Sequence, residues 1–431
     1  MNNRLFVKLL LMWCITVVAV DARSRCFIIG ADISWSHRAV KNGTTYSDGG
    51  GRKTLLAILR EHGFNWIRLR MFVDPTAKVP EVPSESPYSA SGDCDLAHTV
   101  DFAKYIKEAG FKFLLDFHYS DTWADPGKQW KPVSWRDLSY EELVEKVRSY
   151  TRESLEAFDS AGVLPDMVQV GNEIVGGMIW PDGRSSNMAK FAELVNAGID
   201  GVKDVSEDIE IMIHSISENS PSGWLSSLIK AGVERIDVFG LSYYAKWHGT
   251  PDDLKRRLEE VAANHDIKIA VAEYSDNHQR VNDIVFNLPD EKGLGTFVWE
   301  PTSYGDALFT GSSTNARMDL YPEMAKAYGD DTCSQTAVTP ITVMPPASSF
   351  SRNIAENTVW FDANGRIPFN APLSIIAPVE LFTLQGRRAG RLKIDAAGLS
   401  GGSDFQRRNG IYIVRLPGNG GRPVVRLAGG R

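Results

Sequence analysis

The chain has 431 residues, 43% hydrophobic and 23% charged, values ordinary for a folded globular protein with a large core. That length exceeds a typical single domain and leaves room for a large domain with an appendage. A net charge of −7 gives no basis for a nucleic-acid partner.

The first residues predict a secretory signal. Arg4 and Lys8 precede an apolar run from Leu9 to Val20, and Val20-Asp21-Ala22 offers cleavage after Ala22. The run is too short to span a bilayer comfortably. Residues 1–22 are therefore expected to be removed, leaving an extracellular protein, released or at the cell surface, with no stable membrane span. Cys14 goes with them, and Cys26, Cys94 and Cys333 stay.

Residues 23–333 alternate short β-type runs with amphipathic helical patterns, the signature of a parallel α/β fold. The expected strands are Phe27–Ile33, Asn65–Arg70, Lys112–Phe117, Met167–Asn172, Ile209–His214, Asp237–Ser242, Lys268–Glu273 and Gly295–Glu300. Helical segments between them include Arg52–His62, Leu96–Ala109, Tyr140–Ala161, Met188–Val205 and Pro251–His265. Several end at a Gly, as at His62-Gly63 and Ala161-Gly162, where the left-handed conformation stops a helix. Eight such units predict a closed (β/α)8 barrel. The first strand lacks the Gly-x-Gly-x-x-Gly turn of a dinucleotide fold.

Residues 334–350 are rich in Ser, Thr and Pro and predict a linker. Residues 351–431 carry 12 basic residues against 5 acidic, whereas the rest of the chain carries 35 against 49. Short alternating runs separated by Gly-rich turns predict a small β-sandwich there.

In a barrel, Cys26 opens strand 1 and Cys333 follows helix 8. Both then lie on the bottom face, so a Cys26–Cys333 disulfide is the expected clamp, with Cys94 unpaired. No cysteine or histidine cluster points to zinc, and no cofactor or metal is expected.

Barrel chemistry gathers at the C-terminal ends of the strands. Here those ends carry Arg70, Asp116 with His118, Asn172-Glu173, Tyr244, Glu273 and Trp299-Glu300. Two carboxyls about 5–5.5 Å apart perform glycoside hydrolysis with retention. Glu173 fits the acid/base, kept protonated by apolar surroundings and a nearby negative charge. Glu273 fits the nucleophile, held ionised by hydrogen bonds and the positive charge of Arg70. Arg70 reads equally well as a structural ion-pair partner. Tyr244 can donate to the nucleophile, Asn172 can grip a sugar hydroxyl, and Trp299 can floor the cleavage site. The chain has 11 Trp, more than a core needs. Trp123, Trp130, Trp180 and Trp247 fall in loops after these strands, where flat faces suit pyranose rings. Asp121, Asp125, Lys128 and Asp182 can reach sugar hydroxyls.

The order Arg, His, Asn-Glu, Tyr, Glu, Trp at successive strand ends resembles clan A of the retaining glycoside hydrolases. Longer stretches resemble glycoside hydrolase family 53, endo-β-1,4-galactanases acting on arabinogalactan. They include Gly30-Ala31-Asp32-Ile33-Ser34, Trp66-Ile67-Arg68-Leu69-Arg70 and the run Leu115–Gln129. Others are Asp166–Glu173, Trp180-Pro181-Asp182-Gly183, Gly240–Tyr244 and Trp247-His248-Gly249. The resemblance covers about residues 27–328 and implies Glu173 as acid/base, Glu273 as nucleophile and β-1,4-galactan as the polysaccharide partner. It departs at Glu273-Tyr274-Ser275, where the family usually has Glu-Thr. The connection between strands 7 and 8 is also shorter than the one with which some bacterial members bind calcium, so no calcium site is expected. Other clan A activities (mannanase, xylanase) and a silent sugar-binding barrel are the competing readings. Residues 378–431, with Val379-Glu380-Leu381-Phe382 and Asn409–Arg415, resemble sorting domains of type IX-like secretion, which implies the secretion machinery as a partner.

Overall fold

The computed structural model describes residues 26–329 and five strand segments between 378 and 428. Eight strands form the barrel: β1 (Ile28–Asp32), β2 (Trp66–Met71), β3 (Lys112–Phe117), β4 (Met167–Val170), β5 (Glu210–Ile216), β6 (Val238–Tyr243), β7 (Lys268–Tyr274) and β8 (Gly293–Trp299). Each is parallel to its sequence neighbour, and β8 closes onto β1. The helices that follow them are α1 (Leu55–Glu61), α2 (Leu96–Glu108), α3 (Tyr140–Ser160), α4 (Met188–Lys203), α5 (Pro221–Lys230), α6 (Pro251–Asn264), α7 (His278–Phe286) and α8 (Tyr321–Tyr328). All eight expected strands are present, and β3 matches to the residue.

The expected helix Arg52–His62 is shorter. Gly51–Thr54 instead pairs with Thr45–Asp48 as a hairpin, and the Thr54 side chain caps α1 by accepting from the Ala57 N–H. The helix starts where the first available cap lies.

Strand side chains alternate, so two packed regions arise. One set faces the helices. The other fills the barrel floor: Ile28, Trp66, Leu114, Met167, Met212, Val238, Ala270, Ala272 and Phe297. Gly30 belongs to this interior, because a Cβ there would meet the Phe297 ring at 2.2 Å. Two residues beyond the floor on β2–β5 come Arg68, Asp116, Gln169 and His214, all buried. The same alternation that seals the bottom with apolar groups therefore stacks a charged layer above it.

Cys26 is disulfide-bonded. Its expected partner, Cys333, lies outside the described residues. Cys94 is a buried free thiol. The signal and linker expectations also fall outside the described residues. Among the described residues no helix is long and apolar enough to cross a membrane.

The chain divides into Met1–Ile341 and Thr342–Arg431. In the second unit, β9 (Pro378–Thr383), β10 (Arg388–Asp395), β11 (Gly398–Gly401), β12 (Ile411–Arg415) and β13 (Val425–Ala428) make one antiparallel sheet in the order β11-β10-β9-β12-β13. The expected sandwich would need a second sheet, and the described residues contain this one.

Candidate active site

Arg68, on β2, is the hub of the charged layer. Its guanidinium donates to Asp32 Oδ2 at 2.8 Å, Asp116 Oδ2 at 2.9 Å, Asn172 Oδ1 at 2.9 Å and Gln169 Oε1 at 3.2 Å. It also lies 2.9 Å from Glu273 Oε1. Burial opposes its charge, but Asp116, Glu273 and Asp32 together hold it firmly protonated. Arg70 does not contact Glu273. It pairs instead with Asp32 at 3.2 Å and Glu300 at 2.7 Å. The expectation that Arg70 supports Glu273 is corrected to Arg68, which sits one inward-facing position lower on the same strand.

Glu273 reaches the site through a bulge. Leu241 pairs with Val271 and Ser242 with Glu273, so Ala272 is the extra residue. Ala272 already faces the interior, and strict alternation would turn Glu273 outward; the bulge re-aims it. Its Oε2 accepts the Tyr244 hydroxyl at 2.9 Å. Burial raises the Glu273 carboxyl, while Arg68 and Tyr244 pull it down, against further upward pressure from Asp116 and Asp32.

Glu173 follows β4 with φ 47° and ψ 47°, left-handed and costly for a residue with a Cβ. Burial and then the negative charge of Glu273 push its carboxyl well above the ordinary range. Ser242 lowers it in part by a hydrogen bond. Glu273 has a guanidinium and a phenol on its carboxylate, so it ionises first of the two. Glu273, and Glu173 when it ionises, also push up the hydroxyls of Tyr244 and Tyr304, after burial. Glu173 just after β4 and Glu273 near the end of β7 stand at the C-terminal ends of strands in one closed parallel barrel, and so at one mouth.

The remaining expected residues divide. Tyr244 and Asn172 lie in this constellation. One Asn172 amide N–H goes to the Ala124 carbonyl at 2.8 Å, which leaves the other to serve a ligand. His118 accepts the Ala124 N–H at Nδ1 (3.2 Å), so its proton is on Nε2, facing Asp116 at 3.0 Å. Asp116, fully buried, also accepts the Gln169 amide at 2.6 Å; its contacts are to protein. Asp121 likewise staples two loops, accepting from the Asp74 N–H at 2.9 Å and the Val133 N–H at 2.7 Å. Trp180 is buried between Trp130, 5.7 Å away edge to face, and the Arg184 guanidinium at 4.0 Å. Asp116, Asp121, Trp180 and Arg70, expected to contact substrate, are buried, and their contacts are to protein groups, although the Arg70 Nε has no hydrogen-bond partner. Asp125 is half-buried, with Lys128 at 3.3 Å.

The mouth has two aromatic walls. Arg70 lies 5.2, 4.8 and 5.6 Å from the ring centres of Trp35, Trp123 and Trp299. Trp299 meets Tyr304 at 4.3 Å. Trp35 is 45% exposed, with its N–H fixed on the Tyr88 hydroxyl at 3.1 Å. It opens onto a cavity of about 590 Å³ shared with Tyr88, Trp123, Arg38 and Glu85. Opposite, Trp247 is 55% exposed and packs against Tyr244 at 5.4 Å. Sequence reasoning missed Arg68, Trp35, Tyr304 and the pair His214 and Ser242. Arg68 was within reach, because Arg68 and Arg70 share the inward parity of Trp66.

The model of glycosyl hydrolase family 53 matches residues 28–283. The sequence is 42% identical to a protein of Niallia circulans described as uncharacterized, over 65% of this chain and 84% of that protein. It is 30% identical to an endo-β-1,4-galactanase of Bacillus subtilis, over 66% of this chain and 72% of that protein. Against an arabinogalactan endo-β-1,4-galactanase of Thermothelomyces thermophilus the figure is 32%, over 62% and 88%. The solved GH53 catalytic domain of Ignisphaera aggregans superposes with a TM-score of 0.61 at 35% identity, over 68% of this chain and 95% of that one. With the barrel and its paired glutamates in place, these matches establish that the chain belongs to glycosyl hydrolase family 53.

Proposed function

We propose that this protein is a secreted, retaining endo-β-1,4-galactanase that cuts the galactan chains of arabinogalactan and pectic galactan by double displacement. The carrying observation is the asymmetry of two buried glutamates. Glu273 is held by Arg68 and Tyr244, whereas Glu173 faces burial and its neighbour's charge. The first is suited to be a carboxylate and the second to be an acid.

Glu173 protonates the glycosidic oxygen as Glu273 attacks the anomeric carbon, which forms a glycosyl-enzyme ester. Glu173, now ionised, takes a proton from water as that water attacks the same carbon and frees Glu273. Tyr244 keeps its hydrogen bond and Arg68 its ion pair on Glu273 until attack. Trp299 and Trp123 floor the cleaved sugar, while Trp35 and Trp247 offer exposed faces on either side. The galactanases named above support the galactan assignment. Secretion rests on the N-terminal signal pattern, and a sorting role for the C-terminal unit rests on its motifs.

Reducing-end release from linear β-1,4-galactan, beside mannan, xylan and β-1,3-galactan, tests the substrate. Preference for β-1,4-galactan is expected. Preference for mannan or xylan shifts the assignment within the clan, and no hydrolysis of any of the four points to a sugar-binding barrel.

A further inference from the structure

The segment that follows β8 is fastened to β7 just beyond Glu273. Asp306 donates its main-chain N–H to the Ser275 carbonyl at 2.9 Å, and its own carbonyl accepts from His278 Nε2 at 2.8 Å. Gly305 presses on the same strand end: its φ is 57°, and a Cβ there would collide with Ser275. A carbonyl can only accept, so the His278 proton is on Nε2, and Nδ1 of the neutral ring is an acceptor. Burial holds the ring pKa below its usual value against the pull of Asp306. The Tyr321 hydroxyl therefore donates to Nδ1 at 2.9 Å and accepts in turn from Tyr274 at 2.9 Å. Tyr274 accepts from the Asn282 amide at 3.0 Å, and Asn282 Oδ1 takes the Thr296 hydroxyl at 2.7 Å. Donor meets acceptor at every link, and all these side chains are buried.

What this clamp carries is Tyr304, two residues before Asp306. Its half-buried ring meets Trp299 at 4.3 Å and Tyr244 at 6.4 Å, and the Tyr244 hydroxyl is 2.9 Å from Glu273 Oε2. Resting on the glycosidase reading above, we propose that Tyr304 is a substrate-binding residue at the cleavage site and that His278 is a positioning residue that holds it there through the main chain of Asp306. Upstream, the Ser303 and Tyr304 N–H groups turn back on the Glu300 carbonyl at 3.1 and 3.0 Å. Those bonds shape the turn, and the bonds at Asp306 fix it against β7 and α7. The Asp306 carboxylate is exposed and pairs with Arg317 at 3.1 Å, so the clamp is made by main chain. Tyr274 adjoins Glu273 in the chain, and one network therefore holds the nucleophile strand and the Tyr304 turn in a single frame. A ring fixed before the sugar arrives loses less freedom on binding it.

Tyr304→Ala and His278→Ala should each lower kcat/KM on β-1,4-galactan by about tenfold, the scale of one aromatic contact. Because the second acts through the first, the double variant should also lose about tenfold, whereas independent effects would multiply to about a hundredfold. The multiplied loss overturns the proposal, and so do wild-type kinetics in either single variant. Tyr304 is half-buried and its truncation spares the core, so that arm stays readable if His278→Ala fails to fold. Nitrogen-15 NMR of the wild-type histidines needs no variant: a neutral Nε2–H ring is expected for His278 at neutral pH, and an Nδ1–H or charged ring overturns the clamp. A wild-type protein that leaves galactan intact is a separate failure. It would sink the proposed function, and the role of Tyr304 with it.

Discussion

Arg68 and Glu273 are in direct contact at 2.9 Å, although β2 and β7 are not neighbours in the barrel. The same guanidinium binds Asp32 and Asp116, so one cation holds three carboxylates above the apolar floor. Position and ionisation of Glu273 are thus set together by a residue deep in the barrel.

Arg68→Lys keeps the charge but cannot serve that many acceptors in fixed directions. It should lower kcat/KM on galactan by about 10²-fold, the scale of losing one oriented donor at a reacting charge. The acidic limb of the pH profile should move up, since Glu273 loses the interaction that most lowers its pKa. Steady-state kinetics across pH checks both, and a profile identical to wild type counts against the hub.

The strands were legible because each holds a short apolar core, as Phe113–Leu115 does in β3, buried on both faces of a parallel barrel. The strand-end rule likewise located Glu173 and Glu273. It misassigned Arg70, because nothing in the spacing says which of two inward arginines reaches across the barrel. The bulge at Ala272 has no residue signature, so the aim of Glu273 was invisible in the sequence. Trp35, in a turn after β1 that holds no other expected site residue, became a candidate only once its ring stood beside Trp299 at 5.1 Å.

Glu300 accepts from Arg70 and from the Trp35 main-chain N–H through Oε1, while its buried Oε2 has no partner. Burial, countered by Arg70 and reinforced by Asp32, pushes its carboxyl up to about 8. The folded state therefore holds a proton that the unfolded chain releases near its ordinary value. Stability from this group falls as pH rises from about 4.3 toward 8. Glu300→Gln mimics the protonated form and should be relatively more stable at pH 8 than at pH 5. Thermal melts of both proteins at the two values read the difference, and a constant offset contradicts the assignment.

Trp35→Ala and Trp247→Ala remove exposed faces at the two sides of the mouth. Each should raise KM for long galactan by about tenfold, or about 1.4 kcal/mol of binding, with kcat nearly unchanged. A fall in kcat at constant KM would place these rings in the chemistry rather than in binding.

Glu173→Ala removes the proposed proton donor. Hydrolysis of galactan should fall by about 10²–10⁴-fold, while a galactoside with a nitrophenyl leaving group, which needs no protonation, should be spared in its first step. Burst kinetics separate that step from ester hydrolysis. Equal loss of the first step on both substrates argues against an acid role.

The most direct measurement is to trap the covalent intermediate. A 2-deoxy-2-fluoro galactosyl donor with a good leaving group slows both displacements, and the second most. Peptide mass mapping of the inactivated protein should then find one fluorosugar, esterified to Glu273. A label on another residue, or turnover that first releases the α-anomer with no adduct, would contradict the double displacement and the pairing of these two glutamates.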